Sequence, residues 1–299
     1  MAEWKEHNSI NTSTYSDGEV ENLIYEYVKN NINIKTLPIQ DINYPIIYHL
    51  SEIRENILNW YPFKKNAMLL EVGAGCGAIT GMLCRKVRKV ISIDISPKRA
   101  KINYTRNNQY ENLEVIVGNV NEIKFQESFD YIILNGVLEY AAMFTEGKTP
   151  YKTFLKQLKS YLKPDGKFLI AIENKLGIKY FSGSPEDHTN EYFIGLNGYK
   201  NCLVKTFSHK ELENLLLDCG MEKIKFYYPY PDYKFPEEIF TTASIEDYGK
   251  RTFTYLQENH FQLFDIKEVC ETFVKEGIME KFANSFLVEA CYSSVSSFN

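Results

Sequence analysis

The segment with the strongest chemical signal is Leu69–Gly77, which reads LLEVGAGCG. In it an apolar strand ends in Glu71, and Gly73, Gly75 and Gly77 take alternate positions just before a predicted helix. Glycines allow the backbone to turn sharply and a ligand to approach closely, while the N-terminus of a helix offers unpaired N–H groups. The loop therefore predicts a binding site where the strand meets the helix.

Polar side chains end or follow the next three predicted strands. Asp94 ends the second strand and is placed to accept both hydroxyls of a ribose. Asn119 follows the third strand, where its amide is able to pair with an adenine edge, and Asn135 ends the fourth, with Glu139 shortly after it. Ligands of open α/β sheets bind outside the carboxyl ends of the strands, so these signals predict one ligand crevice.

The glycine loop by itself leaves a second class of ligand open. Its spacing also fits the looser dinucleotide pattern GxGxx(G/A), with Ala78 in the last position, which permits an NAD(P)-dependent oxidoreductase or epimerase. Against that class, Glu71 stands two residues before the first glycine, and no Tyr-x-x-x-Lys pair follows in the usual register.

Strands and helices alternate from Ala67 onward. The apolar runs predict strands at Ala67–Val72, Val87–Asp94, Leu113–Gly118, Tyr131–Asn135 and Gly166–Glu173. Amphipathic patterns between and after them predict helices near Ala78–Arg85, Pro97–Asn108, Gly136–Phe144 and Tyr151–Leu162. Near-continuous apolar strands that alternate with helices are typical of a parallel sheet covered on both faces.

The segments on either side of this core divide the chain further. Two helices, one from Glu19 and one over Ile46–Trp60, predict an N-terminal helical lid or extension at residues 1–66. A core domain then covers 67–292, in which the insertions 174–206 and 229–281 are expected to form a substrate cap, and 293–299 is a tail. Within the domain we predict a capped helix over Ser208–Cys219 and strands at Ile224–Tyr228 and Ser285–Cys291.

Taken together, these motifs resemble the class I S-adenosylmethionine (SAM)-dependent methyltransferase family. The ExGxGxG loop, the acid that ends strand two, the polar residue after strand three and the strand FDYIILNGVLEY match the family's order, over about residues 67–228. The resemblance implies a Rossmann-like, doubly wound α/β fold of seven mostly parallel strands with an antiparallel last strand. It also implies SAM as cofactor and S-adenosylhomocysteine (SAH) as product.

The resemblance further implies how this chain holds the cofactor. Glu71, Gly73 and Gly75 would surround the methionine part, Asp94 the ribose, and Asn119 with Val120 the adenine; many relatives have Asp at the Asn119 position. The full set of predicted cofactor residues is Glu71, Gly73, Ala74, Gly75, Gly77, Asp94, Ile95, Asn119, Val120, Asn135, Gly136 and Tyr15. Tyr15, in the YSDG turn, is expected to fold over the cofactor.

Several of these residues also have a purely structural interpretation. The glycines serve a tight strand–helix turn, Asp94 ends a strand and caps the helix that begins at Pro97, and Asn119 shapes a turn. The N-terminal turn that contains Tyr15 is equally consistent with a frayed, uninvolved terminus.

Two residues are candidates for catalysis on the acceptor side. Methyl transfer is an in-line displacement on an already activated donor, so a general base is needed only where the acceptor must lose a proton. His188, in the loop after strand five, has a near-neutral pKa that suits a base, and Glu139 is placed to orient an acceptor or the cofactor. A solvated loop histidine and a favourable first-turn acid are the structural alternatives. We expect no metal site, because Glu186, Asp187 and His188 lack supporting ligand spacing.

Composition and motifs narrow the acceptor. The net charge of −5 and the sequence NGVL, in place of the (N/D)PPY of amino-methylating nucleic-acid enzymes, argue against a nucleic-acid partner. Lids before strand one and after strand five are typical of small-molecule methyltransferases. The segments IENKLGIKYFSGSPEDH, YPYPDYKFP and FANSFLVEA also look like bacterial methyltransferases associated with surface-glycan biosynthesis. We predict methylation of an oxygen or nitrogen atom of a small molecule or glycan.

Other functions and the location follow from the remaining features. A peptide or protein acceptor and a non-catalytic SAM-binding subunit stay open beside the oxidoreductase. The first residues have no apolar core typical of a secretory signal, no apolar run is long enough for a membrane span, and the six cysteines form no CxxC pair. These features predict a cytoplasmic protein; the oligomeric state is unknown from sequence.

Overall fold

The computed structural model of the chain describes residues 1–7, 17–251 and 262–292. These residues form two compact units. The described residues of the first unit fall within Met1–Asn135 and Ser160–Gly166, and those of the second within Gly136–Lys159 and Lys167–Asn299. Tyr15 and the tail 293–299 lie outside the described residues, as do 252–261 of the second insertion. The division predicted at residues 66 and 67 stays a prediction.

Five strands of the first unit run parallel in the order β1-β4-β3-β2-β5. They are β1 (Glu3–Glu6), β2 (Met68–Val72), β3 (Lys89–Asp94), β4 (Leu113–Val117) and β5 (Phe129–Asn135). Val72 of β2 pairs with Ile93 and Leu134, so the carboxyl ends of three neighbouring strands lie side by side. Nearly every residue of β2, β3 and β4 is buried, as expected for a sheet covered on both faces.

The first-unit helices are α1 (Val20–Lys29), α2 (Tyr44–Leu50), α3 (Asn56–Asn59), α4 (Thr80–Lys86) and α5 (Pro97–Asn107). The single helix predicted over Ile46–Trp60 is wrong, because the chain breaks at Ser51. Ser51 is extended, its hydroxyl accepts a hydrogen bond from the amide of Ile53, and a short 3-10 helix, Glu52–Glu55, follows it. Serine competes in this way for backbone groups and so favours helix ends over helix interiors.

The N-terminal segment packs on the same unit. Strand β1 extends the parallel sheet beside β4, where Lys5 Nζ lies 2.6 Å from Glu114 Oε1. Ile24 of α1 and Ile46 of α2 are buried in one apolar cluster with Cys76 and Ile102. Cys76 belongs to the glycine loop and Ile102 to α5, so the N-terminal helices are packed directly against the predicted ligand loop.

Antiparallel strands characterise the second unit, in the order β6-β9-β7-β8. They are β6 (Leu162–Glu173), of which residues 167–173 belong to this unit, β7 (Lys223–Tyr230), β8 (Glu238–Thr241) and β9 (Ser285–Cys291). The last strand has its predicted bounds and direction. The strand predicted over Gly166–Glu173 begins earlier, at Leu162, and Asp165 within it takes a left-handed φ of 61°.

The second-unit helices are α6 (Ala141–Phe144), α7 (Pro150–Lys159), α8 (Ile178–Phe181), α9 (His209–Asp218), α10 (Ile245–Tyr248), α11 (Ile266–Lys275) and α12 (Met279–Phe282). The predicted capping box is confirmed, since the Ser208 hydroxyl and the Glu211 carboxylate each bond the other's backbone amide. In the helix predicted over Gly136–Phe144, a 3-10 turn, Leu138–Tyr140, precedes α6. None of the helices in the described ranges is long and apolar enough to cross a membrane.

The predicted Rossmann-like α/β fold is confirmed: most of its strands are parallel, and the antiparallel strands come at the C-terminal end. The predicted seven strands correspond to β2–β7 and β9. Strands β1 and β8, which sequence patterning missed, are each only four residues long. Strands this short carry too little alternation to be recognised.

Candidate functional site

The glycine loop of the first unit has the backbone geometry that its sequence predicts. Gly73, Gly75 and Gly77 take left-handed φ angles of 65°, 55° and 74°. The loop is tied to the neighbouring strand by the amide of Ala74, which donates to the carbonyl of Ile93 at 3.1 Å. Side chains other than glycine are strained in this conformation, which explains three glycines at alternate positions.

Two of these glycines have different reasons to lack a side chain. A Cβ built on Gly75 meets no atom within 4 Å, so the space beside it is open. A Cβ on Gly77 would lie 2.2 Å from Asn103 Oδ1 and 2.7 Å from Asn107 Nδ2, both on α5. Gly77 is therefore required by helix packing, whereas Gly75 leaves a cradle that a ligand is able to fill.

Asp94 ends β3 beside this cradle and is only 7% exposed. Its Oδ2 accepts a hydrogen bond from the amide of Gly75 at 2.7 Å, and its Oδ1 accepts one from the amide of Ser96 at 2.8 Å. Burial raises the pKa of the Asp94 carboxyl, while these two amides favour its ionised form. Each oxygen keeps a second lone pair, so the carboxylate is able to accept two further hydrogen bonds from vicinal hydroxyls.

The remaining predicted residues of the first unit are less uniform. Asn119 Oδ1 accepts a hydrogen bond from the backbone amide of Asn121 at 3.1 Å, which agrees with the interpretation that Asn119 shapes a turn. Val120 is buried. Ile95, after Asp94, is half-buried. At the end of β5, Asn135 has a buried Oδ1 with no hydrogen-bond partner among the described residues. An orphaned buried acceptor next to a row of strand ends fits a ligand that supplies a donor.

Glu71 is buried near the end of β2 and contacts the start of the helix that follows the glycine loop. The Thr80 hydroxyl, at the start of α4, donates to Glu71 Oε2 at 2.7 Å. Burial raises the pKa of Glu71 to about 7, and the nearby Asp94 adds to this shift. The structure thus places Glu71 as a tie between strand and helix; its contact with the methionine part of a cofactor stays a prediction.

Because the native pKa of Glu71 is above its ordinary value of 4.5, the native state binds a proton more tightly than the unfolded chain. The Glu71 contribution to the free energy of unfolding is therefore expected to fall as pH rises from 4.5 to about 7. Above that range it levels off, after a total loss of about 3 kcal/mol.

The variant Glu71→Gln isolates this effect, because the amide oxygen still accepts from Thr80 but does not titrate. Urea denaturation between pH 5 and 8 should show a smaller decline for the variant, which becomes the more stable protein at high pH. Parallel stability profiles for the two proteins would contradict the buried, protonated carboxyl.

An ionic network that sequence patterning missed fixes the N-terminal segment to α5. Arg99 is buried, with its Nε 2.8 Å from Glu21 Oε1 and another guanidinium nitrogen 2.9 Å from Asp17 Oδ2. His49 Nε2 lies 2.7 Å from the same Asp17 oxygen, and burial lowers the pKa of His49. The only sequence signal was Asp17 in the YSDG turn; its partners come from three different helices.

Gly136 and both predicted catalytic residues belong to the second unit. Gly136 has a left-handed φ of 71°, and a Cβ there would lie 2.8 Å from the hydroxyl of Tyr233. Glu139 lies in the 3-10 turn after β5 and is fully buried. His188 Nε2 lies 3.7 Å from Glu139 Oε1 and 3.8 Å from Oε2 of Glu173, the last residue of β6. The structure therefore brings the predicted pair together, with a second glutamate.

The electrostatics of this cluster affect the role of His188. Its Nδ1 lies 2.9 Å from Glu186 Oε1. Burial lowers the pKa of the imidazole, but Glu173, Glu139 and Glu186 outweigh burial and raise that pKa to about 11. Burial also raises the pKa of Glu139. A protonated imidazole donates hydrogen bonds and takes up no proton, so this electrostatic setting favours a donor role; the role of His188 as a base stays a prediction.

Two lysines complete the cluster, and sequence reasoning did not find them. Lys234 Nζ lies 2.6 Å from Glu173 Oε1 and 2.8 Å from Asp187 Oδ1, and Lys179 Nζ lies 2.7 Å from Asp187 Oδ2. Both lysines hold the pKa of Asp187 well below its usual range, against its burial. Lys234 falls in the aromatic segment FYYPYPDYKF.

Comparisons with known proteins agree with the family predicted from the glycine loop and the fold. Residues 63–207 match the family model described as a methyltransferase domain. These residues belong to the class I SAM-dependent methyltransferases. The domain is thus that of an enzyme whose methyl donor and cofactor is SAM, as the sequence predicted.

Individual relatives match different lengths of this chain. An uncharacterized methyltransferase of Staphylococcus carnosus is 29% identical over 174 residues, which are 58% of this chain and 69% of that one. The phosphoethanolamine N-methyltransferase 1 of Haemonchus contortus, solved with phosphoethanolamine and SAH, has a TM-score of 0.53 at 14% identity, over 94% of this chain and 50% of that one. At that identity the likeness concerns the fold alone.

One expectation from the sequence is wrong. A probable ribosomal RNA small subunit methyltransferase A of Methanosarcina barkeri is 38% identical over 68 residues, 23% of each chain. With further relatives also named for rRNA, this finding overturns the exclusion of nucleic acid. Net charge is summed over the whole chain, whereas nucleic-acid binding depends on local charge, so −5 excludes little. The chain spans about a quarter of the length of these relatives.

Proposed function

We propose that the protein is an active methyltransferase that binds SAM in its first unit, at Gly75 and Asp94. The observation that carries this proposal is the Asp94 carboxylate. It is fixed by two backbone amides, has free lone pairs, and lies beside a glycine whose side-chain space is open. The buried, unpartnered Oδ1 of Asn135, among the described residues, supports the same edge of the unit as a ligand site.

Each residue has a defined task in this proposal. Asp94 accepts hydrogen bonds from the two ribose hydroxyls, and the amides of Gly75 and Ser96 keep its carboxylate oriented before the cofactor arrives. Gly75 leaves room for the cofactor beside the loop. Bound SAM supplies a sulfonium that activates the methyl group, so much of the catalysis consists of positioning.

For the acceptor, we propose an oxygen or nitrogen atom of a small molecule or glycan. Relatives are named for oxygen and for nitrogen acceptors alike. The buried polar groups of Glu139 and His188, in a unit built largely from the two insertions, support a polar acceptor. Glu139 would orient it and His188 would donate a hydrogen bond to it.

We also propose a bacterial, cytoplasmic protein, in which the six free thiols stay reduced.

The proposal is tested by methyl transfer from SAM that carries a labelled methyl group. The purified protein is incubated with pools of small molecules, of glycans and of RNA, and each pool is separated and counted. We expect label in a small-molecule or glycan pool, with transfer reduced in Asp94→Asn and in Glu139→Gln. Label in the RNA pool alone would contradict the acceptor class, and SAH binding without transfer to any pool would indicate a non-catalytic SAM-binding subunit.

A further inference from the structure

The second unit contains a cluster of buried carboxylate oxygens that accept no hydrogen bond from the described residues. Both side-chain oxygens of Glu139 and Oε2 of Glu173 are buried and accept no hydrogen bond from any described residue. Both side chains are fully buried. A buried carboxylate costs several kcal/mol, on the order of the desolvation of an ion, unless a cation compensates it. The imidazole of His188 faces both glutamates, but at 3.7 and 3.8 Å it is too far away to donate a hydrogen bond to them.

The same oxygens converge on one imidazole nitrogen. Glu139, Glu173 and His188 each offer one ligand atom, and these three atoms lie within 4.8 Å of one another. His188 Nε2 lies 3.7 Å from Glu139 Oε1 and 3.8 Å from Glu173 Oε2. A metal ion bound at about 2.1 Å holds its ligand atoms roughly 3.0 to 3.5 Å apart, so a small closure accommodates one.

The outer contacts orient these three groups as they are oriented in metal sites. His188 Nδ1 faces Glu186 Oε1 at 2.9 Å, which leaves Nε2 directed at the two glutamates. Metal-binding histidines usually give their other ring nitrogen to a carboxylate in this way. Glu173 Oε1 is held by Lys234 at 2.6 Å and by the Tyr233 hydroxyl at 3.2 Å, so only its Oε2 remains for an ion.

The formal charge of the cluster matches a divalent ion. Two ammonium groups face four carboxylates, and the groups are Lys179 and Lys234 with Glu139, Glu173, Glu186 and Asp187. With ionised carboxylates and a protonated His188, one negative charge remains in a buried site; once the imidazole has given up its proton, two remain. An ion of charge +2 would balance them from the position that a proton on Nε2 otherwise takes.

We propose that Glu139, Glu173 and His188 bind one divalent transition-metal ion, such as Mn²⁺ or Zn²⁺. Imidazole nitrogen favours transition metals over Mg²⁺ and Ca²⁺, and carboxylates suit Mn²⁺. Three protein ligands leave at least one coordination position for water or another oxygen ligand. This site differs from the Glu186, Asp187 and His188 set considered in the sequence, of which only His188 is a ligand here. This site shares Glu139 and His188 with the proposed acceptor site, and a bound ion replaces the proton on His188 Nε2, so the hydrogen bond from His188 to an acceptor belongs to the metal-free protein. The proposal does not depend on SAM binding by the first unit.

Mn²⁺ is the sharper probe, because six free thiols would compete for Zn²⁺. The chelator-treated full-length protein is titrated with MnCl₂, and free Mn²⁺ is followed by electron paramagnetic resonance. We expect one ion per chain, and binding weakened at least about tenfold in Glu139→Gln and in His188→Gln. The control Glu213→Gln, which removes an exposed partner of Lys210, should bind as the wild type does.

A second readout needs no variant. Electron spin echo modulation of the bound Mn²⁺ should show one imidazole nitrogen in the wild-type protein. Absence of that nitrogen, absence of one-to-one binding, or equal affinity in all three variants would overturn the proposal. SAH titrations of the same samples separate the two proposals: SAH binding without Mn²⁺ binding refutes only the metal site, and the reverse refutes only the cofactor site.

Discussion

Asp94→Asn is expected to weaken SAH binding about ten- to a hundredfold, or roughly 1.5–3 kcal/mol, as measured by calorimetric titration. The variant keeps the size of the side chain and one acceptor oxygen, but its NH₂ group cannot accept from a ribose hydroxyl. It also faces the donor amides of Gly75 or Ser96, which disturbs the oriented carboxylate. The loss should therefore concern binding more than folding.

The chain offers a matched control at Asp130 on β5. Its Oδ2 also accepts a backbone amide, from Met68 at 2.8 Å, and lies 2.7 Å from Lys163 Nζ. Asp130 is the second residue of β5, whereas Asp94 is the last residue of β3. Because the strands are parallel, the control lies at their amino ends, away from the carboxyl ends where Asp94 lies. Asp130→Asn should leave SAH affinity unchanged. Equal affinities for both variants would remove Asp94 from the cofactor site.

Arg99→Met is expected to have the largest effect on stability, a loss of about 3–5 kcal/mol in the free energy of unfolding. The substitution leaves the carboxylate of Glu21, which is fully buried, without the guanidinium that lies 2.8 Å away. It also removes the contact of Arg99 with Asp17. Lys98 Nζ, partly exposed and 3.9 Å from Glu21 Oε2, compensates this charge only from a greater distance. Loss of the nearest cation of a buried charge is among the costliest single changes in a protein, and urea denaturation measures it directly.

Two further variants separate this explanation from general loss of packing. Glu21→Gln combined with Arg99→Met also removes the buried carboxylate charge. The double variant should recover a large part of the lost free energy of unfolding. Arg85→Met breaks an exposed pair with Glu55 and should cost no more than about 1 kcal/mol. If the double variant is as unstable as Arg99→Met, the buried charge is not the cause.

The sequence correctly predicted those features of the fold that depend on neighbouring residues in the chain. Strand β9 has its predicted bounds, and the glycine loop has the left-handed backbone that its glycines indicate. The predicted helix over Ile46–Trp60 failed at Ser51, where one hydroxyl–amide contact outweighs a continuous apolar stripe. Periodicity records which side of an element is buried; it does not record such a competing hydrogen bond.

The candidate sites show the same limit more strongly. Asp94 and Gly75 are 19 residues apart, within one strand–helix–strand unit, and spacing sufficed to place them together. The second-unit cluster unites Glu139, Glu173, His188 and Lys234, whose contacts are set by long irregular segments. Sequence reasoning therefore found Glu139 and His188 as separate candidates but not the glutamate and lysine that determine their charge.

The central claim is that the first unit binds SAM, and titration of the purified protein with SAH beside NAD⁺ and NADP⁺ tests it most directly. We expect SAH to bind one-to-one with micromolar affinity and neither dinucleotide to bind. Binding of a dinucleotide and not of SAH would contradict the account, because the glycine loop would then serve the alternative pattern that ends at Ala78.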